Sequence, residues 1–346
     1  MVSATTAIGQ ASLGEDPVSS ADPSRSRATA RRFVVWLLLA AVVPFPVFAV
    51  LSAFHTTDAS AQATLRILFL LSVAHGGLSG LFFLDQRYRS HMAPRYRYYY
   101  GAAAAIAVVS LAGVGLLGEP FLRCFVVIYI AWTIVHFARQ NWGVICLTAL
   151  ATGDPKPGRL ESVALQLACI GGAIGVLRDQ IHLDGSLPAG LGLVLLGLGL
   201  SIVVAFRQIA TGAPLLRIGM TLAIGGFFLP VFLFGPRVGF VTIGAIHGAQ
   251  YAIIMSVLAA DRRQGSSSRR IVGMVGMTVL YVELFLLLSG PGIRGAWVRP
   301  AQVLLDSVVV WHFLLDAGLW RLRHPFQRQA VAQSFPFLFA GRQAER

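Results

Sequence analysis

Apolar runs of about twenty residues recur along this chain, and that repetition constrains its fold more than any other feature. A helix of about 20 apolar residues crosses the ~30 Å hydrocarbon core of a bilayer. Runs of that kind cover residues 33–54, 61–84, 99–117, 121–150, 161–177, 187–206, 215–234, 238–260, 270–290 and 300–320. A lipid-embedded chain must satisfy its own backbone polar groups, so long apolar runs become helices and not open sheets. The expected fold is therefore all-α, a polytopic transmembrane helix bundle of about ten spans. Residues 33–320 form the bundle, flanked by a disordered basic N-terminal tail over 1–32 and a cytoplasmic C-terminal tail over 321–346.

Composition agrees with this and excludes the main alternative. Hydrophobic residues make up 56% of the 346 and charged residues 12%, with a mean hydropathy of +0.70. That leaves too little charge to cover a soluble surface of this size. A net charge of +13 raises nucleic acid as a partner, but the basic residues stand in short clusters between apolar runs and form no continuous phosphate-binding face. No nucleic-acid role is expected. With the amino terminus inside, the cytoplasmic segments, counted with Arg217 and Arg270 at the span ends beside them, hold 21 of the 28 basic residues and the outer loops hold four. This asymmetry puts both termini in the cytoplasm. The expected location is an integral membrane one, the inner membrane of a bacterium. Cys124, Cys146 and Cys169 fall inside apolar runs without CxxC spacing and are read as small core residues.

Four of these runs carry a histidine at similar depth: His75, His136, His247 and His312. Their helices run in the same direction, and the rise of an α-helix puts the four side chains within a slab about 9 Å thick. The stretch from Trp132 to Trp142 adds Arg139, Gln140 and Asn141 to His136, a concentration of polar groups that hydrocarbon tolerates only where they are used. Each histidine has a polar residue four positions later, on the same helix face: Ser79, Gln140, Tyr251 and Asp316. Glu283 lies near the middle of the ninth run. Imidazoles with one or two carboxylates suit a transition metal, iron, zinc, manganese or copper, and the i+4 partners are placed to orient the rings. His75, His136, His247 and His312 are the candidate metal ligands. Glu283 and Asp316 are candidate further ligands or proton acceptors, and Arg139 and Gln140 candidate groups for orienting a bound molecule. Trp132, Trp142, Tyr251 and Trp311 stand beside these positions and are candidates for a lipophilic substrate pocket. A structural role competes at every position: membrane histidines bridge helices, Asp316 can pair with basic residues at the end of its helix, and Glu283 with Arg139.

Integral-membrane desaturases use clustered HxxxH and HxxHH boxes, and none occurs here. The stretches Ala74-His75-Gly76-Gly77 and Val135-His136-Phe137 are similar in flavour to motifs of the bacterial carotene-cleaving dioxygenases of the Brp/Blh type. The resemblance covers about a tenth of the chain, and that family's close histidine pair near the end has no counterpart, His247 and His312 being far apart. It implies single histidines on several transmembrane helices holding one iron. The leading expectation is an intramembrane metal-dependent oxidoreductase, a non-haem iron oxygenase acting on a lipophilic small molecule among membrane lipids, with a redox partner as a further possibility. Two other classes use the same residues. Paired histidines can ligate b-type haem for electron transfer, and mid-membrane His, Asp and Glu can carry ions or protons in a transporter.

Overall fold

A computed structural model describes residues 23–53, 59–181, 185–261, 266–289, 298–320 and 324–338. Among these residues there are helices and connecting turns and no β-strand. In chain order the α-helices are α1 (Pro23–Val42), α2 (Pro44–Ala53), α3 (Ala59–Leu78), α4 (Leu81–Leu84), α5 (Gln86–Met92), α6 (Ala102–Leu117) and α7 (Glu119–Thr152). They continue as α8 (Arg159–Ile181), α9 (Ser186–Ala210), α10 (Leu215–Gly225), α11 (Pro230–Leu233), α12 (Pro236–Ala259), α13 (Ser267–Ser289), α14 (Val298–Leu319) and α15 (Pro325–Ser334). The protein is an all-α polytopic bundle.

Among the described residues, eight helical stretches are long and apolar enough to cross a membrane: Ser24–Val50, Arg97–Leu117, Glu119–Thr152, Arg159–Arg178, Ser186–Ala210, Pro236–Ala259, Ser267–Leu288 and Val298–Leu319. The expected second span is carried by α3 (Ala59–Leu78) and α4 (Leu81–Leu84), and the seventh holds a shorter apolar helix, Leu215–Gly225. The break in the seventh has a local cause. Pro230 has no N–H to donate and its ring excludes the carbonyl four residues earlier, so α10 ends at Gly225 and a turn precedes α11. Between α6 and α7 the chain reverses at Gly118, whose φ of 61° belongs to the left-handed region that glycine enters freely.

The outer faces of the bundle are apolar. Leu116 is 84% exposed, Val272 70% and Leu287 68%, and such surfaces on α6 and α13 match lipid and not water. Helices approach closely where glycines meet. A Cβ on Gly171 of α8 would stand 2.5 Å from the Gly190 carbonyl oxygen of α9, and one on Gly197 would stand 2.6 Å from the Ala164 carbonyl oxygen. This is the small-residue contact that membrane helices use in place of a hydrophobic driving force.

The tails differ from expectation. Residues 23–32 are already helical, as the first turns of α1, while 1–22 lie outside the described residues. At the other end, α15 and the turn after it dock onto the bundle: Val331, Phe335 and Leu338 are buried with Phe33, Val34 and Leu37 of α1. Apolar residues on a short helix gain more from that contact than from solvent. Residues 339–346 of the expected tail lie outside the described residues. Charged groups close the same end of the bundle. Buried Asp85 accepts from Arg270 at 2.9 Å and pairs with Arg87 at 3.0 Å, and Ser334 donates to Asp261 at 3.0 Å. Paired in this way, the charges are compatible with burial.

Candidate metal centre

The site begins with a close crossing of α3 and α12. Gly244 lies one turn before His247 and faces Ser72, which lies one turn before His75; a Cβ on Gly244 would reach within 2.2 Å of the Ser72 hydroxyl. On its other side α3 is held against α13, where a Cβ on Gly77 would stand 2.6 Å from the Thr278 Cα. The crossing brings the rings of His75 and His247 to 4.6 Å between centroids. α7 and α14 supply His136 and His312, 5.4 Å apart. The remaining contacts, His75 to His312 at 4.8 Å and His136 to His247 at 4.9 Å, close a ring of four imidazoles. All four are buried, His247 to 1% exposure and His136 to 7%.

Their potential ligand atoms all lie within 4.8 Å of one another, and the Nε2 atom of every ring is buried with no hydrogen-bond partner. One unsatisfied buried polar atom costs about 1–3 kcal/mol. Four of them in one cluster of rings ask for a common partner. An ion with bonds of about 2.1 Å to four nitrogens in a tetrahedron requires them about 3.4 Å apart, so the set fits an ion after a contraction of at most about 1.4 Å between any pair. This buried cluster can bind a metal ion.

Hydrogen bonds on the far side of the rings fix which nitrogen is free. His75 Nδ1 bonds the Ser72 carbonyl oxygen, which only accepts, so Nδ1 carries the proton and Nε2 a lone pair. His312 reaches the same state through a chain. Tyr251 donates to Asp316 Oδ1 at 2.8 Å, leaving its oxygen to accept from Ser79 at 2.9 Å. The Ser79 oxygen then accepts from His312 Nδ1 at 2.7 Å. His312 Nε2 is left as a lone pair facing the centre, the arrangement by which outer partners orient metal-binding histidines. The other carboxylate oxygen of Asp316 stands 3.8 Å from both His136 Nε2 and His312 Nε2, beyond hydrogen-bond range and beside the centre. Phe313 stacks on His136, with centroids 4.3 Å apart and planes at 25°.

Beside the cluster lies a cavity of about 290 Å³ that follows α7 from Trp132 to Leu147 and is shared by His136, Tyr251 and Asp316. Arg139 and Gln140 line it, and Gln140 also donates to the His247 carbonyl at 3.0 Å. The rest of its wall is mostly apolar and includes Trp320, just past the end of α14, and Val331 and Phe335 of the C-terminal segment.

The structure thus brings together the four histidines, Asp316, Tyr251 and Gln140, with Trp132 and Arg139 on the adjoining cavity. Three expected site residues lie elsewhere. Glu283 is exposed on α13; Tyr281, two residues earlier, faces α3, and a step of two turns a helical side chain to the opposite side. Trp311 precedes His312 and points away, its indole N–H donating to the Tyr99 carbonyl at 2.6 Å. Trp142 packs on the core cluster formed by α1, α7 and α10. Sequence reasoning gave no role to Ser72, Phe313, Val331 or Phe335. The serine acts through its backbone and the others are apolar, so no residue-type signal marks them.

Fold and site together define a class: an all-α membrane protein with a buried four-histidine centre able to hold a metal ion. Compared with protein-family models, curated proteins and solved structures, the chain matches none.

Proposed function

We propose that the protein is a membrane-embedded, metal-dependent oxidoreductase, a non-haem iron oxygenase acting on a lipophilic substrate. The observation that carries this reading is the convergence of four buried histidines, whose potential ligand atoms lie within 4.8 Å of one another and whose Nε2 atoms have no hydrogen-bond partner, beside a largely apolar cavity. Imidazole suits iron, zinc and copper alike. Iron is favoured by the nearby carboxylate of Asp316 and by the resemblance of residues 74–77 and 135–137 to carotene-cleaving dioxygenases. Bound there by His75, His136, His247 and His312, iron would supply the redox chemistry that no side chain of the site has.

The chain's own groups have separate tasks in this proposal. The apolar wall takes the substrate from the bilayer and keeps water away. Asp316 accepts or returns a proton next to the reacting end, and the Tyr251–Ser79–His312 chain holds its carboxylate in place. Gln140 ties α7 to the backbone at His247. Ring contacts of 4.6–5.4 Å weigh against haem, because a macrocycle must lie between its two axial imidazoles. The setting proposed is a bacterial inner membrane, with electrons supplied by a redox partner.

The test is oxygen uptake by iron-loaded protein in lipid nanodiscs, with and without a lipid extract of the source membranes. Uptake that needs both iron and extract, and that the His136→Ala variant lacks, is expected. Iron-loaded protein that consumes no oxygen with any extract would overturn the oxygenase reading.

A further inference from the structure

Arg139 is at odds with its surroundings. It lies 13 residues before the end of α7 at Thr152, about 20 Å inward at 1.5 Å per residue, and it is exposed where the exposed surface of the bundle faces lipid. No carboxylate pairs with it among the described residues, although Glu119, on the same helix, holds both Arg123 and Arg299. An unpaired guanidinium at that depth is costly, and its fixed fork suits carboxylate or phosphate. Its position relates it to the cavity. Arg139 lines the cavity with Asp316 as the other charged residue, His136 lies one turn away on the same helix, and most of the wall is apolar. Near the Trp132 end the cavity opens sideways, since Trp132 and Val135 are 39% and 42% exposed.

We infer that the cavity takes an acyl-chain amphiphile with an anionic head group, entering sideways from the bilayer, with Arg139 binding the head and the apolar wall the chain. This rests on reading the cavity as the substrate site of the metal centre, and it narrows that site's substrate class. The head is held one helical turn from His136, so the carbons presented to the centre are those near the head.

The test is binding and does not require turnover. Trp132 and Trp320 line the cavity, so quenching of tryptophan fluorescence by 10-bromodecanoate and by 10-bromodecanol reports occupancy in phosphatidylcholine nanodiscs. A charge-assisted hydrogen bond is worth about 1.5–3 kcal/mol, so the acid is expected to bind roughly 10–100-fold tighter than the alcohol. Arg139→Gln is expected to abolish the difference and leave alcohol binding unchanged, while Arg139→Lys retains part of it. Equal binding of acid and alcohol by the unaltered protein overturns the inference, whether or not any variant folds. So does a preference that persists in Arg139→Gln. A preference lost when phosphatidylglycerol is added to the discs would assign Arg139 to a bilayer head group and overturn its role toward substrate. Metal content, measured on the same samples, reports separately on the centre: metal-free protein that still prefers the acid keeps this inference and removes the enzyme reading, and the reverse result does the opposite.

Discussion

At the scale of single residues, the centre is organised by what lies behind the rings. Ser79 follows His75 by four residues, in the turn just after α3, yet its hydroxyl serves His312 on α14 and links that ring to Tyr251 and Asp316. Removing an outer partner of a metal-binding histidine typically weakens metal binding 10–100-fold. Ser79→Ala is therefore expected to lower metal affinity by about that factor, read by competition with a chelator, with little loss of helical content. An unchanged affinity would mean that the chain does not orient His312. The residue types of this network were legible in the sequence, since Ser79, Tyr251 and Asp316 each follow a histidine by four positions. Their partners were not. The i+4 rule places groups on one helix face, and here the hydrogen bonds run between helices, which depends on crossing angles that no single run encodes. Glu283 shows the limit from the other side: a mid-span carboxylate reads as functional, yet two residues of helical rotation decide whether it faces the centre or the lipid.

At the scale of elements, the ring of histidines depends on how closely α3 can approach its neighbours. At Gly77 an added Cβ would stand 2.6 Å from the Thr278 Cα, and backbone cannot move aside as a flexible side chain can. Overpacking of this kind costs about 1–3 kcal/mol, so Gly77→Val is expected to lower thermal stability by that amount in detergent and to weaken metal binding with it. A variant with unchanged melting would show that α3 and α13 are free to separate. Gly276 of α13 has nothing near its Cβ position, and Gly276→Ala serves as the control expected to be neutral. The apolar runs announced most helices because hydrocarbon length sets helix length. The break between α10 and α11 was legible only through Pro230, a residue able to kink its helix, since apolarity continues through Gly225 and Pro230 while the helix does not. The docking of α15 was hidden, because ten residues with few apolar positions carry a weak signal until the groove they fill is known.

At the scale of the whole molecule, a lipid-facing shell surrounds a polar centre that adjoins a cavity on one side of α7. The topology expected from the charge asymmetry, with both termini inside, makes the start of α7 an outer position. Cys124 is exposed near that start, and Cys146 and Cys169 are less accessible. A membrane-impermeant maleimide applied to intact cells should therefore label Cys124 selectively, and labelling only after the cells are broken would reverse the topology. Closure of the inner end by the C-terminal segment leads to a further expectation. Phe335 is 1% exposed and contacts the Phe33 ring, and truncating a buried phenylalanine costs about 3–5 kcal/mol. Phe335→Ala should destabilise the protein by roughly that much in a detergent melt, and a loss below about 1 kcal/mol would mean the segment is only loosely applied. The most direct test of the account is the metal content of protein purified from membranes, for the unaltered chain and for His75→Ala, His136→Ala, His247→Ala and His312→Ala separately. One ion per chain, lost in each variant while the helical signal is kept, is the predicted result. An unaltered chain without metal after growth with iron, zinc, copper or manganese, or variants that keep their full content, would contradict it.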